Sequence, residues 1–164
     1  MRNLKEEEFQ IKYDMYKDII YNIAYTYVHN SDDSLDISQD VFMKYLNSNE
    51  EFETLDNEKY WLIRVTINTS KNYVTSSWKK KVYSDSDVIN NYSDKNEDND
   101  EKQMYYHIVT NLKDKYKEII ILHYYEDFKV EEIASILKLS ISCVKKRLER
   151  GRQIIKEEVL KWKN

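Results

Sequence analysis

Apolar residues recur along this chain at three- and four-residue intervals, the spacing of one helix face. From Glu8 to about Val28 the face is Phe9, Tyr13, Tyr16, Ile20, Ile23, Ala24 and Tyr27. The cluster Ser31-Asp32-Asp33-Ser34 ends that helix and caps a second, with Ile37, Val41, Phe42 and Tyr45 inward. A polar loop over about Asn47 to Asn57 leads to a third helix, about Glu58 to Trp78, with Trp61, Leu62, Val65 and Thr69 inward. Lys79-Lys80-Lys81 closes this first body. A second body starts near Lys102. Met104, Ile108 and Leu112 mark one helix there, and Tyr116, Ile119, Ile120 and His123 another. Two short helices separated by a tight turn follow, one facing inward through Ile133, Ala134 and Leu137, the other through Val144, Leu148 and Ile155.

Composition agrees. Among 164 residues there is one Gly and no Pro, whereas strand-rich folds need turn residues at many corners. The expected fold class is therefore all-α: two small helical domains, residues 1–81 and 102–164, joined by a flexible acidic linker over residues 82–101. That linker holds Asp85, Asp87, Asp94, Glu97, Asp98, Asp100 and Glu101 against the single base Lys95. It has few large apolar residues and cannot bury enough surface to offset the entropy of ordering. Fully extended, such a segment reaches roughly 65–70 Å.

Charge changes the picture further. The formal net charge is −4, yet the chain beyond residue 128 is basic, as in a partly masked nucleic-acid binder. The last helix carries Lys145, Lys146, Arg147, Arg150 and Arg152, with its apolar face committed to the core. This is the layout of a helix-turn-helix, whose second helix enters the DNA major groove. Ser140 and Ser142 stand where they can cap that helix and bring backbone amides near a phosphate. A solvated basic face is the plainer alternative.

Two further groups carry chemistry. Asp33, Asp36 and Asp40 lie at i, i+3 and i+7, flanked by Gln39, so a row of carboxylates shares one helix face. Such a row suits docking on a basic helix, and also suits a solvated face favoured by the helix dipole. In the third helix, Arg64, Asn68, Lys71, Asn72 and Tyr73 combine groups for phosphate contact, base-edge contact and stacking on an unpaired base. His29, His107 and His123 have no metal-ligand spacing among themselves or with Cys143. The lone cysteine excludes an internal disulfide framework and fits a reducing compartment. No apolar run approaches a membrane span and the N-terminus lacks a signal-peptide core, so a cytoplasmic protein without cofactor or membrane insertion is expected.

The segment Asp33-Ser-Leu-Asp36-Ile37-Ser38-Gln39-Asp40-Val41-Phe42 resembles the second conserved-region helix of sigma-70 family RNA polymerase sigma factors. Trp61-Leu-Ile-Arg64-Val-Thr-Ile-Asn68-Thr-Ser-Lys71-Asn72-Tyr73 looks like the promoter-melting helix of that family. The stretch from Leu112 to Glu126, with the helix-turn-helix, is similar to region four. Order and spacing match the extracytoplasmic function (ECF) subfamily, which keeps regions two and four alone. The resemblance implies an alternative sigma factor, not itself an enzyme. It implies docking of Asp33, Asp36, Gln39 and Asp40 on the β′ clamp helices of core RNA polymerase, and contact with the β flap. It implies the −10 element of promoter DNA as target for Arg64, Asn68, Lys71, Asn72 and Tyr73, with the Asn47–Asn57 loop capturing a flipped base. Ser142, Lys145, Lys146, Arg147, Arg150 and Arg152 would meet the −35 element. An anti-sigma factor is the further partner implied. Departures exist: Asn72 where many relatives carry Asp, Lys138 where the turn usually holds Gly, Lys129 in place of a capping Ser or Thr, and no Pro at Leu112-Lys113. Two other readings stay open. One is a helix-turn-helix regulator acting without polymerase docking. The other is a small metal-dependent hydrolase, disfavoured because no nucleophile–base set or phosphate loop is present.

Overall fold

The computed structural model describes residues 2–76 and 100–164. Within these residues all regular structure is helical, and two compact units separate, one within Met1–Asp87 and one within Val88–Asn164. Residues 82–99 of the expected 82–101 linker, Trp78 and the Lys79-Lys80-Lys81 run lie outside the described residues. No helix among those described is long and apolar enough to cross a membrane.

The first unit is a three-helix bundle of α1 (Glu6–Val28), α2 (Ser31–Asn47) and α3 (Leu55–Thr75), each packed on the other two. Ile20, Ile23, Ile37, Leu62, Ile63 and Ile67 are fully buried between them. His29 adopts a left-handed conformation (φ 55°) that stops α1, and its N–H bonds to the Tyr25 carbonyl. The N-cap of α2 is Asn30, one residue before the expected serine–aspartate cluster, and its side chain accepts from the Asp33 N–H at 2.9 Å. Asp32 and Asp33 then occupy the first turn, where acids favour the dipole. Thr54 caps α3 by accepting from the Asn57 N–H at 3.0 Å. That cap starts α3 three residues earlier than its apolar spacing predicts. The buried face of α3 is Leu62, Ile63, Thr66, Ile67, Thr69 and Ser70, while Trp61 and Val65 are only half-buried. The expected inward set was displaced because the small polar Thr66 and Ser70 read as surface residues. Thr66 is accommodated by donating its hydroxyl to the Leu62 carbonyl at 2.7 Å.

The second unit is built on α7 (Ile141–Lys163), which packs against α4 (Asp100–Thr110), α5 (Asp114–Ile120) and α6 (Val130–Leu137). Helix α4 begins at Asp100, so Asp100 and Glu101 belong to its acidic first turn rather than to the linker. Ile119, Ile120, Ile121 and Leu122 are consecutive and all buried, as in a helix enclosed on every side. From Ile121 to Tyr125 the coil widens into a π turn. Phe128 N–H then bonds to the Leu122 carbonyl, and His123 Nδ1 to the Phe128 carbonyl at 3.0 Å. Gly151 is buried: a Cβ there would stand 3.2 Å from the Ile120 side chain. The helix-breaking residue thus permits the close approach of α5 to α7.

Candidate polymerase- and DNA-binding surfaces

Helix α2 turns Ile37, Val41, Phe42 and Tyr45 into the core and leaves Asp36, Gln39 and Asp40 exposed. Leu35 and Met43 share that outer side and are 55% and 52% exposed. The outer side of α2 is therefore acidic with two large exposed apolar residues. The apolar spacing left Leu35 and Met43 unassigned, because single apolar residues off the core stripe carry no signal of their own. Asp33 is half-buried at the edge facing α3 and accepts a hydrogen bond from the Tyr73 hydroxyl. Burial, that bond, and the charges of Asp33, Asp36 and Asp40 together push the Tyr73 phenol above the usual range. A second link joins the same helices, Lys44 Nζ to Thr69 Oγ1 at 2.9 Å.

On α3 the structure brings together four of the five expected residues. Arg64, Asn68, Lys71 and Asn72 recur along the side opposite the buried stripe. Asn68 and Asn72 are exposed, Arg64 and Lys71 half-buried. Tyr73 is the exception. One residue beyond Asn72, it lies about 100° further around the helix, and its hydroxyl points at the acidic row of α2. The sequence grouped it with its neighbours, whereas helical rotation separates it from them.

The α2–α3 loop is anchored from the N-terminus. Arg2 donates from Nε to the Tyr45 carbonyl at 2.8 Å and from Nη2 to the Glu50 carbonyl at 2.6 Å. Its guanidinium lies over the rings of Tyr45 and Phe52, 4.5 and 4.8 Å from their centroids. Beneath, Glu58 is a carboxylate only 6% exposed. It receives Lys12 Nζ at 2.8 Å, Tyr16 Oη at 2.9 Å and Tyr45 Oη at 2.9 Å. Burial alone would raise the Glu58 pKa; the hydrogen bonds from Lys12, Tyr16 and Tyr45 overcome it and hold the carboxyl below its ordinary range. Tyr45 is pushed up to about 12, first by burial and then by its bond to Glu58. Neither Arg2 nor the Glu58 network carried a signal in the sequence, because their partners lie more than ten residues away.

In the second unit, Lys138 closes α6 in the left-handed region (φ 56°, ψ 45°), where glycine is usual. Ser140, rather than Ser142, caps α7, accepting from the Cys143 N–H at 3.1 Å. Ser142, Lys145 and Lys146 are exposed in the first two turns. The other three cations differ from expectation. Arg147 is half-buried. Arg150 lines a cavity of about 690 Å³ with His107, Lys113, Tyr116 and Trp162. Arg152 lies on the opposite flank, its Nε donating to the Tyr124 hydroxyl and its guanidinium over the Tyr124 ring. The six residues expected at one DNA surface are thus distributed around the helix, because five cations within eight positions cannot share one side of a 3.6-residue coil. Among the described residues, no group of three or more His, Cys, Asp or Glu side chains converges as metal ligands do.

Comparison with known proteins accounts for both units. Residues 13–80 match the model for sigma-70 region 2 and residues 102–155 that for sigma-70 region 4. The chain is 32% identical over 146 residues to RNA polymerase sigma factor SigV of Bacillus subtilis (strain 168), covering 89% of this chain and 87% of that one. It is 25% identical to ECF RNA polymerase sigma factor SigW of the same organism, covering 89% and 86%. Two solved structures share the fold. The sigma factor RpoE, in complex with the anti-sigma factor NepR from Bartonella quintana, superposes with a TM-score of 0.63 at 21% identity, over 93% of this chain and 97% of that one. CnrH, in complex with the cytosolic domain of CnrY, gives 0.67 at 16% identity, over 94% and 89%. The chain belongs to the ECF branch of the sigma-70 family, as a factor that directs promoter recognition by RNA polymerase and is not itself an enzyme.

Proposed function

We propose that the outer side of α2 docks on the β′ clamp helices of core RNA polymerase, that α3 and the preceding loop hold the −10 element, and that α7 reads the −35 element. Sigma factors bind core polymerase; the finer assignment rests on one observation. An exposed acidic–apolar side on α2, with Leu35, Asp36, Gln39, Asp40 and Met43, belongs to the same rigid bundle as an exposed stripe of Asn68 and Asn72 flanked by Arg64 and Lys71. A regulator acting on duplex DNA alone needs neither. Amides and cations on α3 suit single-stranded DNA, since bases must be unstacked at a few kcal/mol each before they can be held. Ser142, Lys145 and Lys146 are the residues offered to the major groove. Arg147 and Arg150 flank them toward one strand's phosphates, and Arg152 lies on the other flank. Domain limits of 1–81 and 100–164, the second starting with α4 rather than at residue 102, follow the same division of labour. The β flap is the further polymerase contact of the second unit. An anti-sigma protein is the regulatory partner, supported by the solved structure of the sigma factor RpoE with the anti-sigma factor NepR.

The test is in vitro transcription with purified core polymerase on a library of promoter fragments. Initiation from a subset of fragments, only when the chain is added, is expected. Shifted promoter DNA without polymerase, or no association with core, would overturn the proposal. Native co-purification tests the anti-sigma partner.

A further inference from the structure

The loop between α2 and α3 is short, polar on its outside, and held by a residue distant in sequence. We infer that Arg2 is a positioning residue for promoter opening: it keeps the 48–54 loop in the shape that captures a −10 base. This rests on the reading of that loop as part of the −10 surface.

Five contacts converge on Arg2. Its backbone N–H bonds to the Leu46 carbonyl at 2.7 Å. Its Nε and Nη2 bond to the carbonyls of Tyr45 and Glu50. Its guanidinium lies over the rings of both Tyr45 and Phe52, and Phe52 in turn packs on Trp61 of α3, centroids 5.8 Å apart. The carbonyls of Tyr45 and Leu46 belong to the last turn of α2, where a cation is favoured, and the Tyr45 carbonyl also accepts the Ser48 N–H that caps the helix, at 3.3 Å. Arg2 therefore closes the end of α2 and, with the same side chain, fixes the first half of the loop. Within the loop, Glu50 N–H bonds to Ser48 Oγ at 3.0 Å, and the Thr54 cap fixes the far end. Phe52 turns inward beneath the guanidinium, leaving Glu51 and Glu53 exposed. A loop so held presents its outer groups without ordering them at the moment of base capture, and preorganisation of this kind raises both rate and selectivity. The five-donor planar fork of Arg suits the task; Lys offers charge without the paired bonds or the stacking plane.

The experiment compares wild type, Arg2→Ala and Arg2→Lys in the full chain, with circular dichroism melting to confirm folding. Amide exchange of residues 48–54 reads the loop. Open-complex formation with core polymerase on promoters varied base by base at −10 reads its use, with core affinity as control. Faster exchange in Arg2→Ala, open complexes down about tenfold, −10 discrimination flattened and core affinity unchanged are expected, with Arg2→Lys only partly restoring discrimination. Unchanged exchange overturns the clamp. Faster exchange with unchanged discrimination overturns its role in positioning. Substituting Glu51 and Asn49 with Ala in the same assay separates the two levels: if these also leave −10 discrimination intact, the loop reading itself fails.

Discussion

The hydroxyl of Tyr73, on the helix assigned to promoter melting, donates to the carboxylate of Asp33, in the row assigned to polymerase docking. The two surfaces therefore meet at their edges, within one bundle. Tyr73→Phe removes the bond and keeps the ring. A stability loss of about 1 kcal/mol is expected, at the low end for a charge-assisted bond because Asp33 stays partly hydrated. Urea denaturation measures it, and −10 discrimination should not change. The pH dependence has a definite sign. The phenol is held above its usual range by burial, by its bond to Asp33 and by the neighbouring carboxylates. The folded chain keeps a proton that the unfolded chain releases near pH ~10. The contribution is present below that pH and lost as pH rises through the folded value, and Tyr73→Phe should flatten that part of the profile.

Glu58 joins all three helices of the first unit. Glu58→Ala strands the hydroxyls of Tyr16 and Tyr45 and should cost about 3–5 kcal/mol. Glu58→Gln keeps an acceptor and should cost less. Because the Glu58 carboxyl lies below its ordinary range, its contribution is full above the unfolded pKa of about 4.3 and is lost as pH falls through the folded value. Glu58→Gln removes that titration, so its stability, from urea melts at a series of acid pH values, should vary less with pH than wild type; an identical pH profile in the two proteins would refute the network's role. At the alkaline end, Tyr45 should ionise at about 12, later than ordinary tyrosines, in an absorbance titration.

Charge reversal of the acidic row, Asp36→Lys with Asp40→Lys, alters two exposed residues that stabilise nothing in the core. Melting should be unchanged within about 0.5 kcal/mol, while retention on immobilised core polymerase falls at least about tenfold. Undiminished retention would remove α2 from the docking surface.

The cations of α7 should not be equivalent. Lys145 is exposed near the N-terminus of the helix, whereas Arg152 is engaged with Tyr124. Holoenzyme binding to −35-containing duplex, measured over a salt series, should lose about one unit of log–log slope in Lys145→Ala. In Arg152→Ala the slope should stay near wild type.

Two exchanges involving glycine should have opposite signs. Lys138→Gly relieves a left-handed side chain and should stabilise by about 0.5–1 kcal/mol. Gly151→Ala gains propensity, yet its new methyl meets Ile120, which is 1% exposed and has little room to yield. A net loss of about 1 kcal/mol is expected. Thermal melts of the two variants decide.

Much of this was legible from residue order. The core positions Ile20, Ile23, Ile37, Val41, Leu62, Ile133, Val144 and Leu148 announce themselves by period, since burial of one helix stripe is a local property. The acidic row and the basic last helix were equally plain. Element ends were less so: Asn30 and Thr54 start helices because their side chains reach an N–H three residues on, and many polar residues near a helix could do the same.

What the linear chain by itself determined was the all-helical class, the two-unit organisation and the charge on each helix. Period and composition are summed over many residues and survive local error. Only the tertiary structure decided which charges act together. It took Tyr73 away from Asn72 and gave it to Asp33, divided Arg150 from Arg152, set Gly151 against Ile120, and brought Arg2 and Lys12 to partners more than forty residues distant. Those pairings depend on helix rotation and on how three helices pack, and neither is encoded in the spacing of any one of them.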